Sequence, residues 1–291
     1  MKSKKNFGNI KKQFTEYENS KIVILLIPFD ATNTWQKGAS KGPDAIISAS
    51  ANMELYDIET KQEVYKYGIY TDNDMKERNS SELMVDEVFQ RIYQHLNSNK
   101  FVVSIGGEHS ISVGAFKAFD KKFYDLSIIQ LDAHADLRDY YMDSHLNHAC
   151  VMARAKEYCP IVQVGIRSMS ASEAKVLDEK RIFYSDDIKK NNEWYDEVSE
   201  KVKDNVYLTI DLDVFDPSIM PSTGTPEPAG LNFDHVFNFV KHVIDNHTLV
   251  GFDVVELCPN EINKSPDFLV AKLIYMILSY RFKSNPKSHA H

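Results

Sequence analysis

A series of short, continuous apolar runs, separated by longer stretches with helical spacing, constrains this chain most. The runs fall at 22–27, 64–70, 101–105, 126–131, 161–166, 181–184, 206–210 and 248–255. Most are apolar throughout rather than alternating, as in strands of a parallel sheet covered on both faces. Helix candidates lie between or after them, near 43–56, 81–97, 110–119, 148–158, 171–180, 193–203, 233–246 and 266–282. In the second, Leu83, Val85, Val88, Phe89, Ile92 and Leu96 share a helical period. The alternation predicts a single three-layer α/β/α domain with a mostly parallel sheet of about eight strands. No linker or repeat divides it. The domain is placed at 21–283, between a Lys-rich, solvated arm (1–20) and a short tail (284–291). Three stretches, 30–42, 136–147 and the proline-rich 214–231, read as long loops, which in compact domains are often functional.

Several classes drop out. The longest clear apolar run, Ile22 to Ile27, is far below the roughly 18 residues of a membrane span. Glu16 and Glu18 interrupt the start where a signal peptide would be apolar. The net charge of −8 offers nucleic acid no electrostatic support and mildly favours a small cation as partner. Cys150, Cys159 and Cys258 are odd in number and form no C-x-x-C, so they read as reduced thiols of a cytoplasmic protein.

In open α/β sheets, ligands bind beyond the carboxyl ends of the strands. Phe101–Ile105 is followed by Gly-Gly-Glu108-His109, and Leu126–Leu131 by Asp132-Ala-His134-Ala-Asp136. Val206–Ile210 is followed by Asp211-Leu-Asp213, and the run from Leu249 ends at Glu256. At i, i+2 and i+4 an extended chain points Asp132, His134 and Asp136 the same way, and Asp211 and Asp213 repeat that spacing. Acids crowded at strand ends repel one another unless a cation neutralises them. Four carboxylates and two imidazoles without thiolate suit Mn²⁺ better than structural Zn²⁺. Six side chains are more than one catalytic ion usually recruits, so a pair of ions is expected, with Asp132 and Asp211 bridging.

These motifs resemble those of the ureohydrolases, the arginase–agmatinase family. The resemblance rests on Gly-Gly-Glu-His-Ser (106–110), Asp-Ala-His-Ala-Asp (132–136), Thr-Ile-Asp-Leu-Asp-Val-Phe-Asp-Pro (209–217), the loop 221–231 and Asp253-Val-Val-Glu256. It runs from about Ile24 to the last helix. It implies one metal held by His109, Asp132, Asp136 and Asp211, and a second held by Asp132, His134, Asp211 and Asp213. Glu256 would receive the guanidinium group. His148 would shuttle protons, with His145 as the competitor for that role. Arg138 replaces the Asn with which arginases grip an α-carboxylate, and Gly165-Ile-Arg-Ser168 is likewise similar to agmatinases. Departures are Ser40 for a common arginine, Ala229 for a usual glycine and Glu108 for the commoner Asp.

The resemblance implies a binuclear manganese hydrolase whose bridging hydroxide attacks the guanidinium carbon of agmatine, giving putrescine and urea. Arginine, guanidinobutyrate or another guanidino compound remains open, since Arg138 could meet a carboxylate. Asp136 could relay a proton from the nucleophile. Trp35, Tyr140 or Tyr141 could meet the distant charge of agmatine. Relatives assemble as trimers or hexamers, so a homo-oligomer is expected.

Overall fold

The computed structural model describes residues 6–73, 75–77, 79–191 and 193–283; the expected tail lies outside them. Its strands are β1 Ile22–Ile27, β2 Ile69–Asp72, β3 Phe101–Gly106, β4 Leu126–Leu131, β5 Ile161–Ile166, β6 Ile182–Tyr184, β7 Asn205–Asp211 and β8 Thr248–Val255. The α-helices are α1 Gly42–Ser50, α2 Ser81–Asn97, α3 Ser112–Lys122, α4 Val151–Ala155, α5 Ser185–Ile188, α6 Trp194–Ser199, α7 Phe233–Asn246 and α8 Ser265–Arg281. The strands form one sheet in the order β2-β1-β3-β8-β7-β4-β5-β6, every pairing parallel.

The continuous apolar runs have the cause expected of them: β1, β3, β4 and β5 are buried at every position. One face packs on α1, α7 and α8, joining Ile46, Val240 and Ile274 to Ile24, Val103 and Leu208. The other packs on α2, α3 and α4, joining Val88, Phe116 and Met152 to Leu25, Val102 and Ile128. Side chains start two long helices: Ser80 accepts from the Leu83 amide (3.2 Å) ahead of α2, and Asn232 from the His235 amide (2.8 Å) ahead of α7. Among the described residues no helix is long and apolar enough to cross a membrane.

Three expectations change. Residues 64–67 form a 3-10 turn, and the strand begins only at Ile69, because Gly68 takes φ +78 and redirects the chain. Of the helix expected at 171–180, only the turn Glu173–Lys175 forms. The N-terminal arm is exposed at Lys11 and Lys12 as expected but anchored at its start. Phe7 is fully buried, and the amides of Phe7 and Gly8 donate to Thr71 Oγ1 (3.0 Å) and Ser50 Oγ (2.9 Å). That anchoring brings the arm onto the edge of the sheet.

Candidate metal centre and active site

The four central strands, β3, β8, β7 and β4, are the four that end in the charged motifs. Adjacent parallel strands end side by side, so His109, Glu256, Asp211 and Asp132 emerge along one edge. Asp132, His134 and Asp213 lie close enough to share one ion, and His109, Asp132 and Asp211 another. Asp132 belongs to both groups. Asp136 joins through His109, whose Nδ1 lies 3.2 Å from Asp136 Oδ2, 3.2 Å from Asp132 Oδ2 and 3.4 Å from Asp211 Oδ2. His134 Nδ1 lies 2.9 Å from Asp213 Oδ2 and 3.7 Å from Asp132 Oδ1.

The route by which these groups converge differs from the extended-chain picture. Asp136 has φ +51, so the chain turns there and its carboxylate comes back to His109. Asp213 lies in a 3-10 turn, Leu212–Val214, capped by Asp211, whose Oδ1 accepts from the Asp213 amide (3.0 Å). The turn lets the acid that ends β7 and the acid two residues beyond it serve different groups.

The donor set fits a pair of cations. His109 Nδ1 is buried with no hydrogen-bond partner, while Nε2 lies 2.9 Å from Thr209 Oγ1. Thr209 Oγ1 donates to Asp253 Oδ1 (2.6 Å), and Tyr207 donates to Asp253 Oδ2 (2.8 Å). The Thr209 hydroxyl, its proton given to Asp253, accepts from Nε2–H. A lone pair on Nδ1 then faces three carboxylate oxygens, an arrangement that a cation stabilises. The acids show the same frustration. Burial, then the charges of Asp213 and Asp132, pushes Asp211 well above the usual carboxylate range. Burial and the charge of Asp132 push Asp136 up to about 7. For Asp132, burial is outweighed by hydrogen bonds from His109 and His134, and its pKa falls.

Polar residues inside apolar strands support the site and escaped the sequence reading. Gln130 Nε2 donates to Asp132 Oδ2 (2.7 Å), and Gln163 Nε2 donates to Gln130 Oε1 (2.6 Å) from the matching position of β5. Arg167 also matters. Its guanidinium donates to the carbonyls of Asp213 (2.5 Å), Glu227 (3.0 Å) and Pro228 (2.9 Å), tying the Asp213 turn to the 221–231 loop. For the two glutamines the available signal was an amide inside an otherwise largely apolar run.

A cavity of about 260 Å³ opens over the cluster. Its lining includes Asp136, Asp211, Asp213 and Glu256, and it also takes in His148, Arg138, Trp35 and Tyr141. His145 and Tyr140 are not in the lining; His145 sits half-exposed, with Nδ1 2.7 Å from the Asp139 carbonyl. Glu256 Oε1 accepts from the His109 amide (2.7 Å), and its φ of +67 marks a backbone held in a strained region. Arg138, on the lining, has its Nε 3.7 Å from Glu173 Oε2 and its guanidinium carbon 4.7 Å from the centre of the Tyr141 ring. Glu173 is a further lining residue that sequence reasoning missed.

The family model described as "Arginase family" matches residues 20–279. The chain belongs to the arginase family. Among this family's members it is 35% identical to the N(1)-aminopropylagmatine ureohydrolase of Synechocystis sp. over 304 aligned residues, 99% of each chain. It is 30% identical to the agmatinase of Pyrococcus horikoshii over 266 residues, 90% of this chain and 93% of that one. The agmatine ureohydrolase structure of Thermoplasma volcanium superposes with a TM-score of 0.86 at 34% identity, covering 92% of both chains. An arginase from Bacillus subtilis shares the fold, with a TM-score of 0.76 at 22% identity over 89% of this chain and 98% of that one. As an arginase-family ureohydrolase the chain is a hydrolase of guanidino C–N bonds, and its two donor groups match the binuclear metal sites for which the family is known.

Proposed function

We propose that the chain hydrolyses agmatine to putrescine and urea with two manganese ions held by His109, Asp132, Asp136, Asp211, His134 and Asp213. The observation that carries this reading is the acid-lined cavity in which Glu256 stands beside the two donor groups. Manganese, when bound, supplies Lewis acidity that brings the pKa of water down from 15.7 toward about 7.

The chain's own residues do the rest. Glu256, pinned by the His109 amide, pairs with the guanidinium and fixes its carbon over the cluster. Carboxylates on the lining favour a cation and repel an anion. The carboxylate of Glu173, beside Arg138 on the lining, offsets that guanidinium's charge and favours an amine over an α-carboxylate on the substrate. His148 holds and passes the proton that the leaving amine needs. Burial, the largest influence, lowers its pKa to about 4, so it stands neutral near pH 7 and carries a proton only in passing it on. Asp136 is placed to receive the proton of the attacking water. The three free cysteines support a cytoplasmic setting, and the family resemblance supports a homo-oligomer, trimer or hexamer.

A second reading, N1-aminopropylagmatine as substrate, is favoured by the 35% identity to an enzyme of that name. Both substrates present the same head group. Urea release should be measured with agmatine, N1-aminopropylagmatine, arginine and 4-guanidinobutyrate after manganese loading. Turnover of either amine at least about 100-fold above both acids is expected, since an unmet carboxylate costs several kcal/mol. Preference for arginine overturns the reading.

A further inference from the structure

The loop after β1 reaches under the cavity and meets both Glu108 and His148. Thr32 is its contact point. The buried Glu108 carboxylate accepts three hydrogen bonds: Oε2 from the Thr32 amide (2.6 Å), and Oε1 from Thr32 Oγ1 (2.6 Å) and Ser110 Oγ (2.5 Å). The same Thr32 oxygen accepts from the His148 amide (3.1 Å) and lies 3.1 Å from His148 Nδ1.

We propose that Glu108, acting through Thr32, is a positioning residue that fixes His148 with its proton on Nδ1 and leaves Nε2 as the acceptor toward the cavity. This rests on the reading above that His148 moves a proton.

A hydroxyl has one proton to give and two lone pairs. The proton of Thr32 goes to the Glu108 carboxylate, and one lone pair takes the His148 amide. The remaining lone pair faces Nδ1, so Nδ1 must donate. A neutral imidazole has one N–H, which leaves Nε2 bare. The ring is thus held at its backbone and at Nδ1 by one oxygen. The geometry also gives a role to a departure seen in the sequence, since Glu108 stands where Asp is commoner. Its extra methylene carries the carboxylate out to the loop, where it grips Thr32 at two atoms.

The test uses full-length enzyme. The ring nitrogens of His148 are observed by ¹⁵N NMR in protein loaded with diamagnetic Mg²⁺, and turnover is measured in manganese-loaded protein. In wild type the Nδ1–H form is expected. Thr32→Val keeps the branched shape but removes the hydroxyl. It should mix the two tautomers and lower kcat by about 10- to 100-fold, with KM and metal content close to wild type. Thr32→Ser should restore both readings. An Nε2–H form in wild type, or a Thr32→Val enzyme with unchanged kcat, overturns the proposal. So does loss of metal in Thr32→Val, which would make Thr32 a support of the donor groups instead. His148→Ala separates the two readings: undiminished turnover there sinks the proton-transfer role, while the tautomer measurement still decides what Thr32 does.

Discussion

At the residue scale, the site works by crowding like charges that a cation then resolves. Asp211 shows this most directly, for it lies 3.4 Å from His109 and caps the turn that carries Asp213. Asp211→Asn should therefore lower both metal content, read by atomic absorption, and turnover; a variant with full metal would remove Asp211 from the ligand set. Arg167→Ala should act more gently. It strips six carbonyls, those of Asp213, Glu227 and Pro228 among them, of a donor and frees the Asp213 turn, so metal affinity in a titration should fall by about 10- to 100-fold. The residues called from sequence as ligands stood out because each acid or histidine lies within five residues after an apolar run. Arg167, Gln130, Gln163 and Thr209 were not, because their roles depend on which strand lies alongside.

At the element scale, two backbone positions bear on the site. Gly107 lies where the end of β3 crosses the segment after β1, and a Cβ there would stand 1.8 Å from the Phe29 carbonyl oxygen. Gly107→Ala should cost at least about 2 kcal/mol in a urea unfolding experiment, since backbone must move to make room. Ala229 is the opposite case. Its φ of +61 lies in the left-handed region, which explains why a glycine is usual there. Strain on Ala exceeds the extra chain entropy of Gly, so Ala229→Gly should raise stability by about 0.5–1 kcal/mol, seen as a small upward shift in Tm. Strands were largely visible as apolar runs. Short elements were not: Val64–Tyr67 is rich in β-formers yet coils, because Gly68 decides the direction of the chain.

At the scale of the whole molecule, the charge cluster links metal binding to stability. Carboxylates with raised pKa bind protons in the folded state that the unfolded chain has released. Stability from that source is present at low pH and declines as pH rises through their folded values. Asp136, at about 7 in the fold, loses its contribution between the unfolded carboxylate value of 3.8 and about pH 7, and Asp211 and Glu256, also raised chiefly by burial, act the same way. His109 and His134, whose pKa values are raised by their acid neighbours, act in the same direction. Calorimetry on chelated protein should show Tm falling across that range, and manganese should raise Tm more at pH 8.5 than at 6.5. A chelated protein that gains stability with pH would contradict the assignment. The parallel three-layer plan was readable from sequence, but the strand order was not, because apolar runs carry no label of their neighbours. That order has one more outcome. β7 and β8, made last, slot between β3 and β4 at the middle of the sheet. A nascent chain still short of residue 255 has two half-sheets and no seam to join them, so the donor group that draws His109 from the end of β3 to Asp132 and Asp211 cannot assemble until synthesis has passed the final strand.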